Sequence, residues 1–382
     1  MIYVDNAATT KMDDVVIAGM LPYIKDYYGN ASSQYSFGQL TRKTIAQARH
    51  EFALALNAED NEIFFTSGGS ESDNWAIKGV AQALRNKGNH IITSSIEHPA
   101  VLNACKAIEK IGFEVTYLPV DKYGMVSPEA VQASLRPNTI LISIMYANNE
   151  VGTLQPIKEI GLIAKKSKIL FHTDAVQAVG HIDIDVIDLG VNLLTASAHK
   201  FHGPKGVGIL YVKERTPIVP LVDGGHQENG QRAGTENVAG IVGAGIAIKN
   251  NLTDLKQKTS KLKMLSSSTV AKLRSRLPSI IINGHETKRL PGIINTSIPK
   301  IEGESMMLLL DMKGICISTG SACTAGEMST SHVLHAMGLN QEDVKSAIRI
   351  SFGKYNQPED VDKIVDAICF AYDKVVCSSH RR

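Results

Sequence analysis

Between about residue 60 and residue 212, seven short runs rich in apolar and β-branched residues alternate with longer stretches of helical character, and that rhythm leaves few folds open. The strand candidates are Ile63–Thr66, His90–Ser94, Phe113–Leu118, Thr139–Tyr146, Lys168–Thr173, Val191–Ala196 and Val207–Val212. Several are apolar almost throughout, as strands covered on both faces of a mostly parallel sheet must be. Helices fit between them at Gly69–Leu84, Ala100–Ile111, Pro128–Leu135 and Pro156–Lys166. The expectation is an α/β, doubly wound domain. After Ile246 the texture changes. A Lys- and Ser-rich helix candidate covers Leu252–Leu277, short strands are expected at Ile280–Asn283 and Gly292–Ile298, and helix, strand and helix candidates follow at Gly303–Met312, Ala347–Phe352 and Pro358–Val376. This second part reads as a smaller α+β domain. The expected division is a large domain over 15–250 and a small one made of 1–14 and 251–382.

A chain of 382 residues, 43% of them apolar, can bury the core that two domains need. With 40 basic against 38 acidic residues it shows no footprint for nucleic acid or an anionic membrane, so a small-molecule partner is favoured. No run approaches the roughly 20 apolar residues of a membrane span, and the N-terminus enters Tyr3-Val-Asp-Asn6 without a leader, so a cytoplasmic protein is expected. The five cysteines include no C-x-x-C pair, which argues against a disulfide framework and against a zinc site.

Ligands of open α/β sheets gather outside the carboxyl ends of the strands. After Ile63–Thr66, the small residues of Ser67–Glu71 precede a helix, and Gly69 and Ser70 can form either a phosphate cradle or a plain helix cap. His98 can be an acid or base, a ring-stacking residue, or the start of a helix before Pro99. Asn148-Asn149-Glu150 can bond a ring substituent or form a turn. Asp174, after an apolar strand, can face a pyridinium N–H or cap a helix. Val191–Ala196 delivers Ser197, His199 and Lys200 to the same edge, where a crowded lysine is suited to condense with an aldehyde. Anion cradle, stacking histidine, acid and imine-forming lysine are together the parts that pyridoxal phosphate requires.

At these residues the sequence resembles the cysteine desulfurases, which belong to the class-V aminotransferase group of fold-type-I pyridoxal-phosphate enzymes. The resemblance runs nearly end to end, through Val4–Thr10, Thr66–Ser72, Glu97-His98, Asn148–Glu150, Asp174–Gln177, Ser197–Lys200, Gly203–Gly206, Gln231–Thr235, Gly320–Cys323 and Arg349–Phe352. It implies that Lys200 holds the cofactor covalently, Asp174 pairs with the pyridine nitrogen, Gln177 donates to the ring phenolate oxygen, and Asn149 adds a contact. By the same resemblance His98 stacks on the ring and shuttles protons, Gly69, Ser70, Ser197 and His199 hold the phosphate, and Thr235 reaches it from the second subunit of a homodimer. Arg349 and Asn6 would bind the substrate, and Cys323 would take sulfur from L-cysteine as a persulfide, leaving alanine. The other cysteines, Cys105, Cys316, Cys369 and Cys377, read as inert thiols. A protein acceptor, either an iron–sulfur scaffold or a tRNA-thiolating enzyme, would receive the sulfur. The alternatives are a selenocysteine lyase or transaminase of the same fold, and a non-catalytic sulfur-trafficking module.

Overall fold

The computed structural model describes residues 1–319 and 330–379 of the chain. Cys323 and the side chain of Cys377 lie outside the described residues. After a two-residue strand β1 (Ile2–Tyr3), the principal sheet is built from β2 (Ile63–Thr66), β3 (His90–Ser94), β4 (Glu114–Leu118), β5 (Thr139–Ser143), β6 (Leu170–Asp174), β7 (Leu193–Ser197) and β8 (Gly208–Val212). Their spatial order is β2-β8-β7-β6-β5-β3-β4. β8 runs antiparallel to both neighbours and every other adjacent pair is parallel. All strands but β8 therefore end on one edge. The chain steps outward from β3 to β4, then returns past β3 to β5 and continues to β7, so the sheet has a switch point between β3 and β5 where loops diverge and leave a crevice. β5 stops short of the expected Tyr146, but the Tyr146 N–H still donates to Asp174 O (2.7 Å), which draws the loop that follows over the end of β6.

Two helices absent from the sequence expectations, Asp14–Lys25 and Ser36–Leu56, pack on the helix Val238–Thr253. Their close approach depends on glycine: a Cβ at Gly245 would lie 2.8 Å from Ala48 Cα. The helix expected from Leu252 instead begins at Leu255, because the chain breaks at Asp254 between two helices. Beyond it come β9 (Ile281–Asn283), β10 (Ile293–Ser297), the helix Gly303–Asp311, β11 (Ile315–Cys316), β12 (Ser318–Thr319), β13 (Ala347–Ser351) and the helix Pro358–Ser379. A four-stranded antiparallel sheet runs β12-β13-β10-β9, and β1 pairs in parallel with β11. Val4 is buried with Leu265, Ile294, Ile348 and Ile364 in a cluster separate from the one that joins Phe52, Phe171 and Phe201. No helix among the described residues is long and apolar enough to cross a membrane.

Candidate active site

A cavity of about 260 Å³ opens at the carboxyl edge of the large sheet. Gly69, Ser70, His98, Asn149, Asp174, Gln177, Ser197, His199 and Lys200 all line it, together with Ala8, Asp73, Met145, Ala147 and Val176. Arg349, Asn6 and Thr235 are not in that lining. Arg349 lies behind the wall, its Nη1 donating to Asn149 O (2.8 Å) and its Nη2 to Asp5 Oδ1 (2.8 Å). Asn6 donates to Ser351 O (2.9 Å) and borders a smaller adjoining cavity with Gln177. Thr235 is exposed on the surface of its own chain.

Each wall residue is held by local geometry. The helix Gly69–Ala83 begins at the cavity, and its first N–H groups have no carbonyl a turn earlier to bond. Gly69 keeps that end open, since a Cβ there would lie 2.7 Å from Val176 Cγ2. His98 caps the helix Pro99–Glu109: its Nδ1 accepts the Ala100 N–H (3.2 Å), so the neutral ring carries its proton on Nε2. Burial lowers the His98 pKa, while the Asp174 carboxylate opposes that shift.

Asp174 is the last residue of β6 and accepts from Val176 N (2.9 Å). Burial raises its pKa, and the charges of His98 and Lys200 pull it back. A further cation facing Asp174 would restore the carboxylate. Two buried acids that the sequence analysis did not single out stand near it. Asp73 takes a hydrogen bond from Thr195, which pairs with Asp174 across β6 and β7, and its Oδ1 has no hydrogen-bond partner. Glu97 accepts from Ser94 Oγ (2.6 Å) and Met145 N (2.9 Å), and burial pushes its carboxyl up to about 8. His172, two residues before Asp174 on the same strand face, is held between Ser143 Oγ (2.9 Å) and Thr195 Oγ1 (3.1 Å), and burial drives it down to about 3. It is therefore neutral.

β7 passes directly into a tight turn, Ala198–Lys200. Thr10 bonds His199 O through both N (3.0 Å) and Oγ1 (2.9 Å), and His181 Nε2 donates to Lys200 O (2.9 Å). These bonds tie the turn to the N-terminal segment and to His181, and Lys200 lines the cavity. Lys200 Nζ donates to Ala7 O (2.6 Å) and Ala8 O (2.8 Å). His199, beside it, is lowered to about 4 by burial and then by the charges of Lys200 and Lys205.

These groups fit a phosphorylated pyridine aldehyde. The open helix end and Ser197 offer donors to an anion, Asp174 is buried where a further cation would favour its charged form, and a primary amine stands within the same space. Among the described residues, no group of three or more His, Cys, Asp or Glu side chains is placed to hold a metal ion.

Comparison with known proteins places the chain in a family. The aminotransferase class-V family model matches residues 2–364. The cysteine desulfurase IscS of Methanosarcina thermophila is 52% identical over 374 residues, which cover 96% of this chain and 91% of that protein. A solved NifS-like protein superposes with a TM-score of 0.92 at 40% identity, covering 97% of this chain and 99% of its own. SspA, solved in complex with cysteine, has a TM-score of 0.84 at 38% identity, covering 94% of this chain and all (100%) of its own. With so much of its length shared at such identity, the chain belongs to the cysteine desulfurases of the aminotransferase class-V family.

Proposed function

We propose that this protein is a pyridoxal-phosphate-dependent desulfurase that takes sulfur from L-cysteine, releases L-alanine and carries the sulfur as a persulfide on Cys323. The observation that carries this reading is the convergence of Lys200, Asp174, His98 and the Gly69 helix end on one cavity. When bound, pyridoxal phosphate supplies an electron sink that makes the Cα proton of the amino acid removable. Lys200 would provide the covalent tether, and its free amine would hold the proton moved from Cα. Asp174 would keep the ring nitrogen charged, Gln177 and Asn149 would hold the ring's substituents, and Ser70, Ser197 and His199 would join the helix end in holding the phosphate. His98 would lie against the ring, with its Nε2–H free to exchange a proton with the substrate.

Arg349 binds the substrate carboxylate from behind Asn149, with Asn6 beside it. The Cys323 thiolate forms the new S–S bond as the substrate Cβ–S bond breaks. The electron pair stays on carbon, which takes up a proton and becomes the alanine methyl. No outside oxidant is required. SspA, solved with cysteine, supports the choice of substrate.

The wider setting follows the same family. The sulfur passes to a protein acceptor in iron–sulfur cluster assembly or tRNA thiolation, in the cytoplasm. The unit is a homodimer, supported by the exposed Val15, Leu21 and Ile24 of one helix and by a Thr235 that stands away from its own chain's cavity. Residues 15–250 form the cofactor domain, and 1–14 with 251–382 form the small one, as the packing of Val4 among C-terminal residues supports. Cys323→Ala tests the assignment. It is expected to bind the cofactor and cysteine with unchanged spectra while alanine and persulfide formation both vanish; undiminished alanine release would exclude Cys323 as the sulfur acceptor.

A further inference from the structure

Beyond the residues already assigned, a polar contact ties the small antiparallel sheet's neighbourhood to the cavity. Glu150 follows Asn149 in the loop after β5 and is buried, and its Oε2 accepts the Ser331 hydroxyl at 2.5 Å. Ser331 is buried too, and its Oγ also accepts Leu334 N (3.1 Å), capping the short helix His332–Ala336. The next residue, His332, donates from Nε2 to Glu97 O (3.0 Å), the carbonyl just before His98. Consecutive residues thus grip two separate loops, one on each side of the switch point between β3 and β5.

The chain is fixed at a second place nearby. β12 pairs Ser318 with Arg349 and Thr319 with Ile348, and Arg349 in turn bonds Asn149 O. Both described flanks of the segment that contains Cys323 are therefore registered on the loop that carries Asn149 and Glu150. A serine–carboxylate bond sealed from water contributes more than a surface one, and losing either partner strands the other.

Resting on the desulfurase reading, we propose that Ser331 and Glu150 are positioning residues for the sulfur-transfer step, with His332 as a weaker, exposed second tie. They touch neither substrate nor cofactor. Their effect is to fix where the Cys323 segment rejoins the site, so its loss appears in one step only.

The test uses cofactor-loaded full-length protein in single-turnover reactions with cysteine, following the cofactor absorbance change and persulfide formation separately. Ser331→Ala and Glu150→Ala are expected to retain cooperative thermal melts and the rate of the first absorbance change within about twofold, and to slow persulfide formation by roughly tenfold or more. Combined, they should cost little more than either alone, and Ser331→Thr should restore most of the rate. Persulfide formation at the wild-type rate in both alanine variants would overturn the proposal, as would equal slowing of both steps. A wild-type protein that makes no persulfide would instead remove the desulfurase reading, and this inference with it.

Discussion

Along one wall of the cavity, Ser197, His199 and Lys200 leave a single strand within four residues, and Asp174 ends the strand beside it. The facing side is assembled otherwise. Ala7 and Ala8 come from the N-terminus to accept the Lys200 amine, Asn149 comes from the loop after β5, and Arg349, on the last strand of the other sheet, braces Asn149 from behind. The first wall places reacting groups on the ends of strands whose residues are buried almost without exception. The second places supporting groups through bonds between positions as far apart as Asp5 and Arg349. Chemistry on the first wall should be all-or-none, whereas changes on the second should alter affinity and aim.

Lys200→Ala is the sharpest probe of the first wall. Removing the amine deletes both the tether and the proton carrier, and alanine formation from cysteine should fall by roughly 10³-fold or more. The fold should persist, since truncating the side chain leaves in place the backbone bonds that fix the turn, from Thr10 to His199 O and from His181 to Lys200 O. Turnover within tenfold of wild type, measured as alanine released, would break the contrast between the walls.

Arg349→Lys probes the second wall and should have a smaller effect. The guanidinium spans Asn149 O and Asp5 Oδ1 at once, a fork that an ammonium cannot reproduce. Losing one charge-assisted hydrogen bond to the substrate carboxylate costs about 2 kcal/mol, so KM for cysteine should rise roughly 30-fold with kcat changed much less. A fall in kcat with KM constant would move Arg349 into the chemistry proper.

The same contrast explains what the sequence discloses. Strand ends are local: β2 and β3 have the bounds expected from composition, and the polar residues just past them are the ones that line the cavity. Asp73 had a local signal as well, because it lies three residues after Ser70 on one helix face. It passes unnoticed because an acid inside a polar helix start reads as solvated surface. The Asp5–Arg349 pair and the Glu150–Ser331 bond have no local signal, since each joins segments that only tertiary packing brings together. The helix Asp14–Lys25 is masked by Pro22 in its interior, and the stop at Asp254 is hidden by the run of helix formers Leu255–Lys258 that follows it.

Glu97→Gln should change turnover least of the three, and its stability tests whether the acids around the first wall keep their protons. Burial pushes the Glu97 carboxyl from its ordinary 4.5 up to about 8, against the bonds from Ser94 and Met145 that favour the charged form. Between those two pH values the unfolded chain has lost this proton and the folded chain still holds it, so ν_U − ν_N is negative and stability falls as pH rises. Below 4.5 the contribution is fully present, and above about 8 it is spent. Glutamine cannot titrate, and its carbonyl can still accept from Ser94 Oγ and Met145 N. The variant should therefore match or trail wild type near pH 4.5, where its NH₂ replaces a protonated oxygen that already has no partner, and overtake it on the way to pH 8. Relative to pH 4.5 the variant should gain about 1.4 kcal/mol per pH unit, several kcal/mol by pH 8, read from urea unfolding midpoints across that range. A difference that does not change with pH would mean that Glu97 is ionised in the folded protein, and that a cation or water within the wall compensates it.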